Sequence, residues 1–350
     1  MVGVSLFTIK RGIYFFIVSV GSFIIGYKLL GNNLRFLYYS FLILNVTIVL
    51  VTLISLVTNL PETAWTGGHG LGFMGLTNHQ NKLGQYIFLS TAPLILFNKN
   101  KEERLKYFII VLLLINLILI ALSVSRAAIL ALFLTWFIYF LLNFSLLKTL
   151  VFSSIFFGII LTTVFVTKTF TDRHEVTIIK NENYLGQRRE KTIYYSWKAA
   201  LNGGLTGLGY GISDKRFKPE LLGYYDKTSE GKIFRREKTI SVLALIEEVG
   251  IIGLVLFSLI ILYPFKIISE MTRNIRKKKM ENWSQKNNSE SLILNSKFIY
   301  FSFAFLISLS IYAQIESWWI GVGSAAMPVY FIFTGAVIKG SEIIKVNSNG

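Results

Sequence analysis

The chain has 350 residues, 53% of them hydrophobic and only 16% charged, with a formal net charge of +17. A water-soluble domain carries about 25% charged residues, so this balance excludes an ordinary soluble fold. There is no cysteine, which excludes disulfide frameworks, thiolate chemistry and zinc–thiolate sites.

Apolar runs of about 20 residues, the length that crosses a bilayer, recur along the chain. They lie near 11–30, 34–58, 81–97, 105–123, 127–144, 146–167, 240–263, 297–313 and 318–338. The expectation is an all-α polytopic transmembrane bundle of about nine spans with one large extracytoplasmic loop. Domains are expected at 1–167, 168–239 and 240–350. No small-residue cleavage site follows 11–30, so that run reads as a span rather than a cleavable signal.

Short loops rich in Lys and Arg stay cytoplasmic. "NKNKEERLK" (98–106), "RNIRKKK" (273–279) and the turn between Lys28 and Arg35 satisfy this together only if the N-terminus is outside and the C-terminus inside. Lys10 and Arg11 then fall on the disfavoured side. The same solution places 59–80, 123–126, 168–239 and 314–317 outside.

In the first outer connection, "TGGHGLGFMGLTNHQNKLGQ" (66–85), five glycines within 67–75 argue for backbone folding closely over a neighbour. Asn78, His79, Gln80 and Asn81 follow, neutral donors and acceptors of the kind sugar hydroxyls need. Asn78 also reads as the cap of the next helix. His69 and His79 lack partners at ligand spacing, so no metal site is expected.

"ALSVSRAAILAL" (121–132) places Arg126 between two apolar runs. A bare arginine in hydrocarbon costs at least about 2.5–3.5 kcal/mol. Arg126 therefore either reaches water at the outer boundary or meets an anion. The segment 168–239 holds fifteen Lys or Arg against nine Asp or Glu, a basic surface suited to a lipid diphosphate. Within it, "GQRRE" (186–190) offers Arg188 and Arg189, whose guanidinium forks match diphosphate oxygens. "YYSWKAALNGGLTGLGYG" (194–211) runs from an amphipathic helix into a glycine-rich turn with none of the Gly-Lys-Ser/Thr ending of a nucleotide loop. "REKTISVLALIEEVGIIGLVLF" (236–257) returns to the membrane carrying Glu247 and Glu248, expensive there unless paired. They would either bond the arginines or fix the loop against the bundle, and the structural role is the expectation. Glu316, beside Trp318 and Trp319, marks the last outer turn.

Four stretches, in order, resemble the O-antigen ligase and O-antigen polymerase superfamily of bacterial membrane glycosyltransferases. "GLTNHQNKLG" (75–84) is similar to the family's Asn/His-Pro-Asn segment, with Gln80 where proline is usual. "SVSRAAILAL" (123–132) resembles its Ser-Arg-Gly/Ala helix start. "GQRREKTIYYSWKAALNGGLTGLGYG" (186–211) resembles its Arg…Trp…Gly-x-Gly-x-Gly loop, and "LALIEEVGIIGLVLF" (243–257) its Glu-x-Gly-Ile-Ile-Gly helix.

The resemblance implies a GT-C-like bundle in the bacterial cytoplasmic (inner) membrane. It also implies an enzyme that takes a glycan from an undecaprenyl diphosphate carrier on the outer face and inverts its anomeric configuration. The implied partners are that lipid-linked oligosaccharide and membrane lipids, with flippase and chain-length regulator proteins beside them. No cofactor, metal or nucleic acid is implied. Arg126 and one of Arg188 or Arg189 match arginines expected to hold the diphosphate, and Lys238 is a further cation suited to neutralising its charge during catalysis. Asn78, His79, Asn81, Gly209, Gly211 and Glu248 match the substrate-binding surface. Glu237, Glu248 and His79 are candidates for the general base. Where ligases carry a His-Asn pair this chain has Thr239 next to Lys238, so polymerase is preferred to ligase. Two rivals of other classes are a lipid-linked oligosaccharide flippase, which would need mid-depth charges in several helices, and a non-enzymatic scaffold.

Overall fold

A computed structural model of the protein describes residues 2–30, 34–58, 72–77, 79–97, 103–170, 182–214, 223–228, 231–236, 240–281, 289–315 and 324–349. The chain is a helical membrane protein. Seven described helices are long and apolar enough to cross a bilayer: α1 (Val2–Leu30), α2 (Leu34–Thr58), α4 (Glu103–Leu122), α5 (Arg126–Asn143), α6 (Leu146–Phe170), α8 (Ser241–Glu281) and α9 (Ser289–Ile315). Three further helices are α3 (Gln80–Thr91), α7 (Glu182–Gly203) and α10 (Ala326–Asn349). Two short strands, β1 (Gly223–Thr228) and β2 (Gly231–Arg236), pair antiparallel with Tyr225 opposite Phe234, an element absent from the all-α expectation. The sequence signal for it is the pair of aromatic and β-branched clusters at 224–225 and 233–234.

Neither α3 nor α10 is among the seven, although spans were expected at 81–97 and 318–338. For α3 the reason is local. Pro93 has no amide proton to continue the α-helical ladder, and the chain tightens into a 3₁₀ segment, Ala92–Phe97. The carbonyl of Ala92 is caught by the indole N–H of Trp136 on α5 at 3.3 Å. For the other, residues 316–323 lie outside the described residues.

The chain forms two compact units. One comprises Lys28–Ile179, Ile268–Leu309 and Lys339–Gly350. Its centre is the half-helix α3, which touches α2, α4 and α5. In hydrocarbon such a short, broken helix is tolerated only when protein surrounds it. A fully buried polar network holds it there. The side-chain amide of Asn45 on α2 donates to the hydroxyls of Ser90 (2.9 Å) and Thr91 (3.1 Å) on α3 and to Oδ1 of Asn116 on α4 (3.2 Å). Asn116 returns a bond to Oδ1 of Asn45 at 2.9 Å. Packing completes the unit: Trp136, Phe140, Phe152 and Phe156 interleave α5 with α6, and Phe88 meets Phe305 of α9.

The second unit comprises Met1–Tyr27, Lys180–Ile267 and Ser310–Ile338. Here α1 and α10 approach so closely that a Cβ on Gly26 would overlap the Ile332 carbonyl, and one on Gly335 the Phe23 carbonyl. Small residues at such crossings let helix backbones touch, which is how membrane helices gain packing without a hydrophobic drive. Ser241, at the start of α8, donates to the Ala313 carbonyl at 2.5 Å, and Tyr330 donates to that of Ile261 at 2.8 Å.

The Asn45–Asn116 pair generates a quantitative expectation. In a double-mutant cycle with Asn45→Leu and Asn116→Leu, thermal unfolding in nanodiscs returns a coupling of about 0.5–3 kcal/mol. Strictly additive losses would show that the two amides do not act as one network.

Candidate functional site

Two sets of residues carry the functional expectations, one in each unit.

The first surrounds the start of α5. Residues 72–77 fold back so that the Phe73 amide donates to the Leu122 carbonyl at 2.9 Å. Gly72 lies so near the Ser123 carbonyl that a Cβ would stand 2.5 Å from its oxygen and 3.0 Å from Oε1 of Gln80. One turn into α3, Gly84 makes the same kind of approach to Ser125, with Oγ of Ser125 2.7 Å from where a Gly84 Cβ would stand. The N-termini of α3 and α5 are thereby brought together. Between them Val124 adopts φ 51, a left-handed conformation costing a β-branched residue about 1–3 kcal/mol. It persists because the turn is held on both sides. Oγ of Ser123 donates to the Ile120 carbonyl at 2.7 Å and accepts from the Ser125 amide at 3.3 Å.

This junction is unusual electrostatically. A helix N-terminus presents unpaired N–H groups and a partial positive charge, so acidic residues are favoured there. Neither α3 nor α5 has an acidic residue in its first turn. Lys82 and Arg126 stand in those turns instead, both exposed. Arg126 has no hydrogen-bonding or ionic partner among the described residues. Ser125, in the N-cap position of α5, does not cap it, and its hydroxyl is buried without a partner. Two converging helix dipoles, two cations and an idle hydroxyl form an anion-seeking surface with no acid of its own in those turns.

On α3 the N-cap is His79, not Asn78: Nδ1 of His79 accepts the Asn81 amide at 3.1 Å. Asn78 itself lies outside the described residues. An accepting Nδ1 places the proton of a neutral ring on Nε2, which makes that edge a donor rather than a base. Asn81 is half-buried beside it. Lys82, Ser125 and Val124 were not singled out by sequence reasoning. The legible signal for Lys82 was a cation in a helix's first turn.

The second set is the glycine turn after α7. Gly204, Gly207, Gly209 and Gly211 all have positive φ. The turn wraps the start of α8. The amides of Leu208 and Gly209 donate to the backbone carbonyls of Glu247 (2.8 Å) and Glu248 (2.9 Å). In return, Oε2 of Glu248 accepts the Gly211 amide at 2.6 Å and Oε1 of Glu247 the Asp214 amide at 2.9 Å. α8 breaks its ladder at Gly250 (φ 71), and there the amides of Ile251 and Ile252 donate to the carbonyls of Gly204 and Leu205. Both glutamates are buried and fix the turn to the helix, the structural role expected of them.

Arg11 belongs to this cluster. Its guanidinium occupies the space a Cβ on Gly211 would fill, and Gly211 is the residue whose amide Glu248 holds. Thr8 of α1 lies similarly against Gly209, and Phe15 meets Tyr210 edge-on at 5.7 Å. The Tyr210 phenol is pushed well above its ordinary range by burial, with Glu248 adding to the shift and Arg11 opposing it. The start of α1 and the glycine turn therefore share one end of this unit. Arg11 is thus placed against the residue whose amide a buried carboxylate holds.

Arg188 and Arg189 stand on α7, with their side chains outside the described residues. Lys238, Glu237, Thr239, Glu316, Trp318 and Trp319 also lie outside them. Among the described residues no group of three or more His, Asp or Glu is placed to hold a metal ion. No protein-family model matches the chain, and no curated protein matches it.

The glycine turn predicts a contrast. At Gly250 a Cβ would overlap the Leu205 backbone, whereas at Gly204 it would meet open space. Gly204→Ala therefore costs only the left-handed penalty of about 1–2 kcal/mol. Gly250→Ala adds backbone displacement, and limited proteolysis between 204 and 240 should accelerate far more in it. Equal cleavage rates would refute the clasp.

Proposed function

We propose that the chain is a membrane glycosyltransferase of the polymerase type. It transfers a glycan from an undecaprenyl diphosphate carrier to a growing surface polysaccharide on the outer face of a bacterial cytoplasmic membrane. The observation that carries the reading is the junction of two helix N-termini whose first turns hold no acidic residue, with exposed Lys82 and Arg126 and, among the described residues, the unpartnered Ser125 hydroxyl. Its charge and donor pattern suit a diphosphate. The four ordered motif resemblances support the same substrate. In this reading the N-terminus is outside, the C-terminus is cytoplasmic, and the segment 168–239, with α7 and the β-ribbon, is extracytoplasmic.

The chemistry follows from the leaving group. An acceptor hydroxyl attacks the anomeric carbon opposite the diphosphate and forms the new glycosidic C–O bond. The bond from that carbon to the diphosphate oxygen breaks, its electron pair staying on the oxygen, and the configuration inverts. Arg126 and the free N–H groups opening α5 neutralise the charge that develops there. The motif resemblance implies one of Arg188 or Arg189 as a further cation. The hydroxyl proton passes to a general base. Glu237 is the remaining carboxylate candidate, because Glu248 is engaged by the Gly211 amide and His79 presents an Nε2 donor edge.

Purified protein supplied with a carrier-linked repeat unit should extend it. Arg126→Ala should lower kcat/KM by about 10²–10³-fold, the usual effect of removing one donor from a developing oxyanion. Arg126→Lys should recover part of that loss. Full extension by Arg126→Ala at normal expression would defeat the proposal, and transbilayer movement of the carrier without extension would establish a flippase instead.

A further inference from the structure

The helix α7 has two unlike faces. Thr192, Ser196, Ala199 and Ala200 are buried, and Gly203 lies against the Ile246 carbonyl of α8. On the opposite side Tyr194, Trp197 (56% exposed) and Leu201 (68%) stand at helical spacing, and Leu205 (64%) follows just after the helix ends. These are large apolar side chains on a helix that is not itself one of the seven candidate spans.

Continuity identifies what covers them. The Leu205 carbonyl accepts the Ile252 amide of α8 at 3.2 Å, beside Gly250. From that point α8 presents Ile251, Ile252, Val255, Leu256 and Leu259, all exposed, along a span apolar enough to sit in hydrocarbon. The α7 stripe thus runs without a break into a lipid-facing surface. Its composition changes in the direction a bilayer boundary requires. Aliphatic side chains lie nearest α8 and amphipathic aromatics farther along, with exposed Lys191 and Lys198 beside them. Nζ of Lys198 sits 4.4 Å over the Tyr194 ring, a cation held at the edge of the apolar stripe.

We propose that α7 is an interfacial helix whose Tyr194–Trp197–Leu201–Leu205 stripe is seated in the headgroup boundary of an anionic bilayer, with Lys191 and Lys198 on lipid phosphates. The inference stands apart from the glycosyl-transfer reading. It also has a consequence for that reading. Positions 188 and 189 share the helical register of Thr192 and Ser196, so seating the stripe in lipid turns those positions away from the bilayer-facing side.

The chain contains no cysteine, so single-cysteine labels are free of background. Nitroxides at Trp197→Cys and Leu201→Cys are compared with one at exposed, off-stripe Asn202→Cys. The protein is held in nanodiscs of phosphatidylethanolamine and phosphatidylglycerol. The expected result is a ratio of oxygen to nickel-chelate collision rates several-fold higher at 197 and 201 than at 202. Replacing phosphatidylglycerol with phosphatidylcholine removes the net negative charge and should shrink that contrast, and an unchanged contrast would overturn the preference for an anionic bilayer. Water-like ratios equal at all three sites would overturn the interfacial seat. So would labels shielded from both reagents in proportion to protein density, which would assign the stripe to a second copy of the chain.

Discussion

A charge or an idle amide inside a bilayer must find a partner within the protein, because no water is there to serve. This constraint organises the chain. Glu247 and Glu248 sit near the start of a membrane helix, and four backbone hydrogen bonds from the glycine turn meet them, two on their carboxylates and two on their carbonyls. Asn45 and Asn116 cross between helices only as a reciprocal pair with Ser90 and Thr91. Even the broken end of α3 has its Ala92 carbonyl answered by Trp136. Against that background an exposed arginine and lysine in helix first turns, beside a buried idle hydroxyl, stand out chemically. They invite an anion from outside the protein.

The positive-φ glycines serve the same economy. Only a backbone without Cβ atoms can turn tightly enough at Gly207 and Gly250 to lay its amides on the glutamates. The carboxylates in turn make the turn rigid. α7 is anchored at its last residue by that clasp, so the orientation of the helix carrying Arg188 and Arg189 is inherited from residues on α8 far away in sequence. Rigid placement of this kind would serve the proposed transfer, since misplacing a reacting group by about 1 Å can cost about 10²-fold in rate.

Much of this was legible in the sequence. Long apolar runs located α1, α2, α4, α5, α6, α8 and α9, because hydropathy over twenty residues has few alternative explanations. The spacing of glycines after Trp197 announced a turn, and two adjacent glutamates in a span announced partners. What escaped was decided by tertiary contact. α3 is apolar enough to suggest a span, yet Pro93 and the Asn45 network make it a buried half-helix. His79 took the cap from Asn78 because its Nδ1 reaches the amide two residues on. The ribbon of β1 and β2 was lost in a strongly basic segment where charge dominates the pattern. Arg11 was unreadable in principle: nothing local tells that it will lie beside Gly211.

The central claim is that the carrier's diphosphate is held where α3 and α5 begin. A structure of the protein in nanodiscs with undecaprenyl diphosphate bound tests this most directly. The account predicts phosphate oxygens within hydrogen-bonding reach of the first α5 amides and the Arg126 guanidinium, with Lys82 turned toward them. Diphosphate density elsewhere, with Arg126 left among lipid headgroups, would contradict it.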